Sequence, residues 1–225
     1  MLTSDANGVR LDFSRLSTIP GRNAWLAAST TTSAATAATA ATPMWTLHAP
    51  HSLTTTAAAL KAAKHRVVVL ESTSGGLLSA ALLSAPGASA YFAAGALVYA
   101  GKGAKRLLPP DVLAESGLMD RAGNYADEAS YVASKLKYAD VAARRMRDHY
   151  KADWCVVESG TTGPDFYVPG VARGFTAVGV AGPDGAVVTR LFRAEPGASR
   201  AENMSRFAEF AVDVLREAVA RSPKL

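Results

Sequence analysis

The chain is short of cysteine, histidine and charge. One Cys among 225 residues, Cys155, excludes an internal disulfide. It equally excludes a zinc knuckle or an iron–sulfur cluster built on this chain's cysteines. Four His, none at ligand spacing, argue against a dedicated metal site, and no cofactor is expected. Charged residues make up 19%, too few for a charge-rich disordered chain or a coiled coil. The formal net charge of +5 has no basic run behind it, so no nucleic-acid partner is expected. Residues 72–101 carry no charge, a stretch long enough to span a bilayer. Gly75-Gly76, Pro86-Gly87 and several Ser cut it into pieces of strand and helix length, so no membrane partner is expected either.

Alanine is what the chain has most of, about a fifth of all residues, and it buries little area per side chain. Residues 26–42 are almost entirely Ala, Thr and Ser, without large apolar side chains at a helical or strand period. Such a stretch does not repay the entropy of ordering. The expected organisation is a low-complexity extension over 1–45 and one folded domain over 46–225. Arg10, Arg15 and Arg22 among Ser and Thr give the extension some transit-peptide character, and Asp5 and Asp12 count against it. The terminal Pro223-Lys224-Leu225 differs from a peroxisomal Ser-Lys-Leu address at its first position. The expected compartment is the cytoplasm, with mitochondrion and peroxisome as alternatives.

Periodicity gives the elements. A helix is predicted over 54–64, and a strand over 66–71 from the run Val67-Val68-Val69-Leu70, suited to cover on both faces. A helix over 77–84 follows, then a strand over 91–100 and a short helix over 102–108. Pro109-Pro110-Asp111 reads as a turn. A long helix is predicted over 125–150, with Leu136, Val141 and Met146 inward. Strands over 154–158, 175–181 and 186–192 follow, the last two joined by the turn Gly182-Pro183-Asp184-Gly185. A helix over 199–221 carries Met204, Phe207, Ala211, Leu215 and Ala218 on one stripe. The fold class is α/β, a three-layer α/β/α domain with a five-stranded mixed sheet.

The most informative stretch is Glu71-Ser72-Thr73-Ser74-Gly75-Gly76, a polar turn between a buried strand and a helix. The first N–H groups of a helix lack internal partners and attract anions, so this turn suits either ligand chemistry or simple helix capping. No Gly-x-Ser-x-Gly elbow accompanies the hydroxyls, and the nearest basic groups are Lys102, Lys105 and Arg106. A lysine of lowered pKa serves as the base for serine in some hydrolases. A second loop, Ser159-Gly160-Thr161-Thr162-Gly163-Pro164-Asp165, lies at the same sheet edge if the first and third strands run parallel. Glu71 and Glu158 close two strands, with a place in the pocket and a place in capping both open. Residues 101–105 do not make a P-loop, and Ser134 with Lys137 is a chance Ser-x-x-Lys match.

Taken in order, these segments resemble the C-terminal domain of the competence/damage-inducible protein CinA, over about 52–219. The signature Glu-Ser-Cys-Thr-Gly-Gly is matched by Glu71-Ser72-Thr73-Ser74-Gly75-Gly76. Pro86-Gly87-Ala88-Ser89-Ala90-Tyr91-Phe92 looks like the family's Pro-Gly-Ser-Ser-x-x-Phe turn. Gly160-Thr161-Thr162-Gly163-Pro164-Asp165 is similar to its Gly-Ile-Ala-Gly-Pro-Asp loop, and Ala201-Glu202-Asn203-Met204 with Phe207-Ala208 to its final helix.

The resemblance implies hydrolysis of the carboxamide of nicotinamide mononucleotide to acid and ammonia. It implies Ser72 as nucleophile, a small nucleotide as partner, and assembly as a homo-oligomer. Candidate catalytic residues are then Ser72, Lys102, Lys105 and Tyr99. Candidate substrate-binding residues are Glu71, Thr73, Ser74, Gly75, Gly76, Gly160, Thr161, Thr162 and Arg200. The family continues Tyr-Ser-Asn-Glu-Ala-Lys where this chain has Tyr99-Ala100-Gly101-Lys102-Gly103-Ala104-Lys105. Counted from Tyr99, the lysine position holds Ala104. A shift of one places Lys105 there, and a chain without the base would bind rather than turn over. The pyrophosphatase-type domain that precedes this one in CinA has no expected counterpart in residues 1–45.

Overall fold

The computed structural model describes residues 51–117 and 125–222. The expectations for residues 1–45 and for the C-terminal tripeptide lie outside the described residues. The order is α1 (His51–Ala63), β1 (Val67–Glu71), α2 (Leu77–Ser84), β2 (Phe92–Leu97), α3 (Gly101–Leu107), α4 (Pro110–Ser116), α5 (Glu128–Tyr150), β3 (Trp154–Thr161), β4 (Phe175–Ala181), β5 (Val187–Arg193) and α6 (Arg200–Arg221). The sheet has five strands in the order β2-β1-β3-β4-β5. Strands β1, β2 and β3 are parallel, β4 runs antiparallel to β3, and β5 is antiparallel to β4 and so runs in the direction of the first three.

The buried run in β1 is why two layers of helix form. Val67 and Val69 face α1, α2 and α6, where Leu53, Leu60, Leu78, Leu82, Ala211 and Leu215 are fully covered. Val68 and Leu70 face the opposite layer, with Val112, Ala142, Met146 and Val157. Each large aliphatic side chain so covered contributes about 1.5–3 kcal/mol. The three-layer α/β/α architecture with its mixed sheet is therefore as expected. Among the described residues no helix is long and apolar enough to cross a membrane.

Three local expectations change. Strand β2 stops at Leu97, so Val98 and Tyr99 lie beyond it, with Val98 N–H donating to Glu71 O at 2.8 Å. Pro110 opens helix α4 rather than a turn, because its fixed φ and missing N–H suit the first helical position. In α5 the covered stripe is Tyr131, Tyr138, Ala139, Ala142 and Met146, with Leu136 and Val141 only half-buried. Alanines on that stripe let α5 approach β4 closely: a Cβ at Gly179 would overlap the carbonyl of Ala139.

Helices α5 and α6 both begin with capping boxes. The Asp127 carboxylate accepts from Ser130 N–H at 2.8 Å, and the Ser199 hydroxyl accepts from Glu202 N–H at 3.3 Å.

Candidate functional site

Because β1 and β3 are parallel neighbours, the turn after β1 and the loop after β3 meet at one sheet edge. Glu158 on β3 joins them. Its Oε2 accepts from the N–H groups of Ser72 and Ser74, each at 3.0 Å, and from the Ser74 hydroxyl at 2.7 Å. Its Oε1 accepts from Thr73 N–H at 3.0 Å, from the Thr73 hydroxyl, and from the Thr176 hydroxyl at 3.1 Å. Glu71 does the same for the helix start. Its Oε2 accepts from Gly76 N–H at 2.9 Å and Leu78 N–H at 3.2 Å, and its Oε1 from Ser79 N–H at 3.2 Å. The Ser74 hydroxyl lies 2.7 Å from Oε2 of both carboxylates.

Both glutamates are buried and hold the turn from inside. The N–H groups expected to meet a ligand are in large part spent on these carboxylates. Glu71, Ser74, Gly75 and Gly76 stand outside the cleft lining. Gly75 instead lies so close to Met204 of α6 that a Cβ there would press on its methyl. The turn's remaining hydroxyl is Ser72, which takes no part in the carboxylate network through its side chain.

Ser72 forms part of the wall of a cleft of about 430 Å³. Of the other expected residues, Thr73, Tyr99, Gly160, Thr161, Thr162 and Arg200 line it too. Lys102 and Lys105 do not; both are exposed. The reason is the period of α3: Ala104 is its buried residue and faces the cleft, which turns positions 102 and 105 to solvent.

Five of the seven tyrosines surround the cleft: Tyr99, Tyr125, Tyr131, Tyr138 and Tyr167. Tyr131 is central, its ring 4.7 Å from that of Tyr125 and 5.9 Å from that of Tyr167. Burial pushes the phenols of Tyr131 and Tyr138 well above the ordinary range, so both stay neutral.

Arg200, at the start of α6, donates to Gly163 O at 3.0 Å and to the Tyr99 hydroxyl at 2.7 Å. Asn203, one turn on, donates to Thr162 O at 2.9 Å. The first turn of α6 thus fixes both the β3–β4 loop and Tyr99. Two of Arg200's five donors are engaged in this way.

Lys135 is not among the residues expected from the sequence. It lies on α5 between Tyr131 and Tyr138 and lines the cleft, its Nζ 5.2 Å from the Tyr131 ring centroid. Burial lowers its pKa, since desolvation penalises the ammonium form. A lysine on a long helix reads as a solvated position, and only the observed rotation of α5 turns it inward. Among the described residues no cluster of three or more His, Cys, Asp or Glu is placed to hold a metal.

A family model for the CinA C-terminal domain matches residues 51–219. The chain belongs to the CinA C-terminal domain family. A CinA-like protein of Parasynechococcus marenigrum is 36% identical over 121 residues, covering 54% of this chain and 26% of that protein. A CinA-like protein of a Mycobacterium species is 34% identical over 159 residues, covering 70% of this chain and 34% of that one. The chain thus spans about a third or less of the length of these curated relatives.

Among solved structures, the competence or damage-inducible protein of Enterobacter asburiae superposes with a TM-score of 0.59 at 22% identity, over 74% of this chain and 96% of that one. A CinA superfamily protein of Escherichia coli gives 0.57 at 18% identity, over 76% and 91%. At such identities the likeness establishes the fold. Within the CinA frame, the signature turn is the one gripped by Glu71 and Glu158.

Proposed function

We propose that the chain is an amidohydrolase acting on a small amide that carries an anionic group, of the nicotinamide mononucleotide type, with Ser72 as nucleophile. One observation carries this reading. Of the three consecutive hydroxyls after β1, Thr73 and Ser74 are committed to buried carboxylates, while Ser72 is held by its backbone at the cleft wall.

The cleft suits such a substrate. Its volume of about 430 Å³ matches a small ligand, at the lower end of the usual range. Tyrosine faces accept a planar ring, and the guanidinium of Arg200 favours a phosphate. Thr161 and Gly160 line the same cleft, and the hydroxyl of the one and the backbone of the other are groups able to hydrogen-bond a carboxamide. Attack by the Ser72 oxygen on the amide carbon, loss of ammonia and hydrolysis of the acyl-enzyme complete the reaction.

The test is ammonia release from nicotinamide mononucleotide. Wild type is expected to turn over, and Ser72→Ala to lose about 10⁴–10⁶-fold in kcat. Equal rates for the two proteins would remove Ser72 from the chemistry.

A second reading is a nucleotide-binding domain without turnover. Ala104 at the family's lysine position favours it. It predicts saturable calorimetric binding of the mononucleotide with no ammonia released at any pH. Turnover that depends on Ser72 excludes it.

A further inference from the structure

We infer that Lys135 of α5 is the proton acceptor for Ser72, supplied from a different helix than α3, on which the CinA resemblance places its lysine. This inference rests on the amidohydrolase reading and adds the group that reading lacks.

Among the described residues that line the cleft, one group is able to accept a proton from Ser72. A hydroxyl attacks an amide only if its proton has somewhere to go. No histidine lines the cleft. Arg200 is a guanidinium and does not release a proton in proteins. The five tyrosines of the cleft, Tyr99, Tyr125, Tyr131, Tyr138 and Tyr167, carry phenol hydroxyls, which are poor bases while protonated, and burial raises the pKa of Tyr131 and Tyr138 further. Asp165 is exposed in the β3–β4 loop, and a solvated carboxylate is a weak acceptor for an alcohol proton. Glu71 and Glu158 accept from turn donors and stand outside the cleft lining. Lys135 remains. It is the cleft's amine, and the position where the resemblance expects an amine is a methyl, Ala104, in the same cleft.

The surroundings fit the role. Tyr131 and Tyr138 flank Lys135 on its own helix. Tyr125 precedes that helix, and Tyr99 of the β2–α3 connection, Asp165 and Tyr167 of the β3–β4 loop and Arg200 of α6 line the same cleft. This wall desolvates the amine. Desolvation lowers the pKa of Lys135, which raises the neutral fraction near pH 7.

The step balances without a co-reactant beyond water. The neutral Nζ of Lys135 takes the Ser72 proton as Oγ bonds to the amide carbon. The resulting ammonium gives that proton to the leaving nitrogen as the C–N bond breaks, and ammonia departs from an ester on Ser72. Lys135 then takes a proton from water as the water oxygen attacks the ester, and returns it to Ser72 Oγ as the acid leaves.

The experiment compares wild type, Lys135→Met, Lys135→Arg and Ser72→Ala by two readouts. The first is kcat/KM for ammonia release from nicotinamide mononucleotide against pH. The second is the rate at which a fluorophosphonate ester labels Ser72, followed by intact mass, which needs no knowledge of the substrate. Wild-type kcat/KM is expected to rise with pH through a lysine titration below the ordinary value. Both Lys135 variants are expected to lose about 10²–10⁴-fold and to lose that limb. The arginine variant keeps a positive charge but stays protonated and so accepts no proton, and a merely electrostatic role would leave it active.

If the mononucleotide is not hydrolysed but Ser72 is labelled in a Lys135-dependent way, the substrate assignment fails and Lys135 stands. Labelling of Lys135→Met at the wild-type rate overturns Lys135 and leaves Ser72 intact. Absence of labelling in wild type overturns both. Thermal midpoints of the variants within a few degrees of wild type establish that each is folded.

Discussion

At the scale of single residues, the signature turn is defined by what its polar groups are bonded to. Glu158 accepts from Ser72, Thr73 and Ser74 N–H and from the hydroxyls of Thr73, Ser74 and Thr176, with 1% of its surface exposed. Every partner is a donor. Glu158→Gln would put an NH₂ against at least one of them, leaving buried donors unpaired at a cost of roughly 2–4 kcal/mol. The expected result is a lower urea midpoint together with loss of Ser72 reactivity, because the backbone carrying Ser72 loosens. Ser72→Ala removes a side chain outside this network and should stay within about 0.5 kcal/mol of wild type. Equal midpoints for Glu158→Gln and wild type would show that the carboxylate is not what holds the turn.

These roles were half legible beforehand. A hydroxyl-rich turn after a buried strand is visible in residues 71–76, and so is its likeness to the CinA signature. The resemblance picks out Ser72, but the turn's own residues do not show which hydroxyl is left for a ligand, because that depends on Glu158, 86 positions away from Ser72.

At the scale of elements, helix α5 does most to build the cleft, since it brings Tyr131, Lys135 and Tyr138 over the ends of β1 and β3. Its approach depends on glycine at 179, where a side chain would overlap the Ala139 carbonyl. Gly179→Ala therefore has to push α5 away from β4, at an expected cost of about 1–3 kcal/mol. Because α5 moves as a unit, activity should fall further than stability alone accounts for, with KM and kcat changing together. A variant as stable and as active as wild type would mean that the helix seat is not tight.

The existence and order of these elements follow from the sequence, because long apolar periods and the Gly-Pro-Asp-Gly hairpin turn are local signals. The rotation of α5 does not. Its inward stripe uses Ala139 and Ala142 where larger residues, Leu136 and Val141, are available a step away. The choice is set by close packing on β4, a tertiary demand that a periodicity count weighted toward large side chains ranks wrongly. Lys135 was overlooked for the same reason.

At the scale of the whole molecule, two cores lie on either face of one sheet, and the chain's one cysteine sits between β1 and β4 in the middle of that sheet. Cys155 on β3 is fully covered, paired in register with Val68 on one side and Ala181 on the other. Burial pushes its thiol far above the ordinary value, and the nearby Arg147 only partly opposes this. Such a thiol is not a nucleophile in the native state, since both access and the thiolate form are denied. It becomes one only when β3 leaves the sheet, and β3 is the strand to which both β1 and β4 are bonded. Opening it therefore amounts to opening both cores at once. Ellman's reagent should leave the native protein unlabelled over the time in which it labels the urea-unfolded chain completely. At intermediate urea the labelling rate should rise in proportion to the unfolded fraction measured by circular dichroism. Ser72→Ala and Lys135→Met, which change the cleft and not the sheet, should follow the same curve, whereas Gly179→Ala should label faster at every urea concentration. Rapid labelling of the native protein would mean that β3 opens locally, and that the carboxylate it presents to the signature turn is held less firmly than the covered sheet implies.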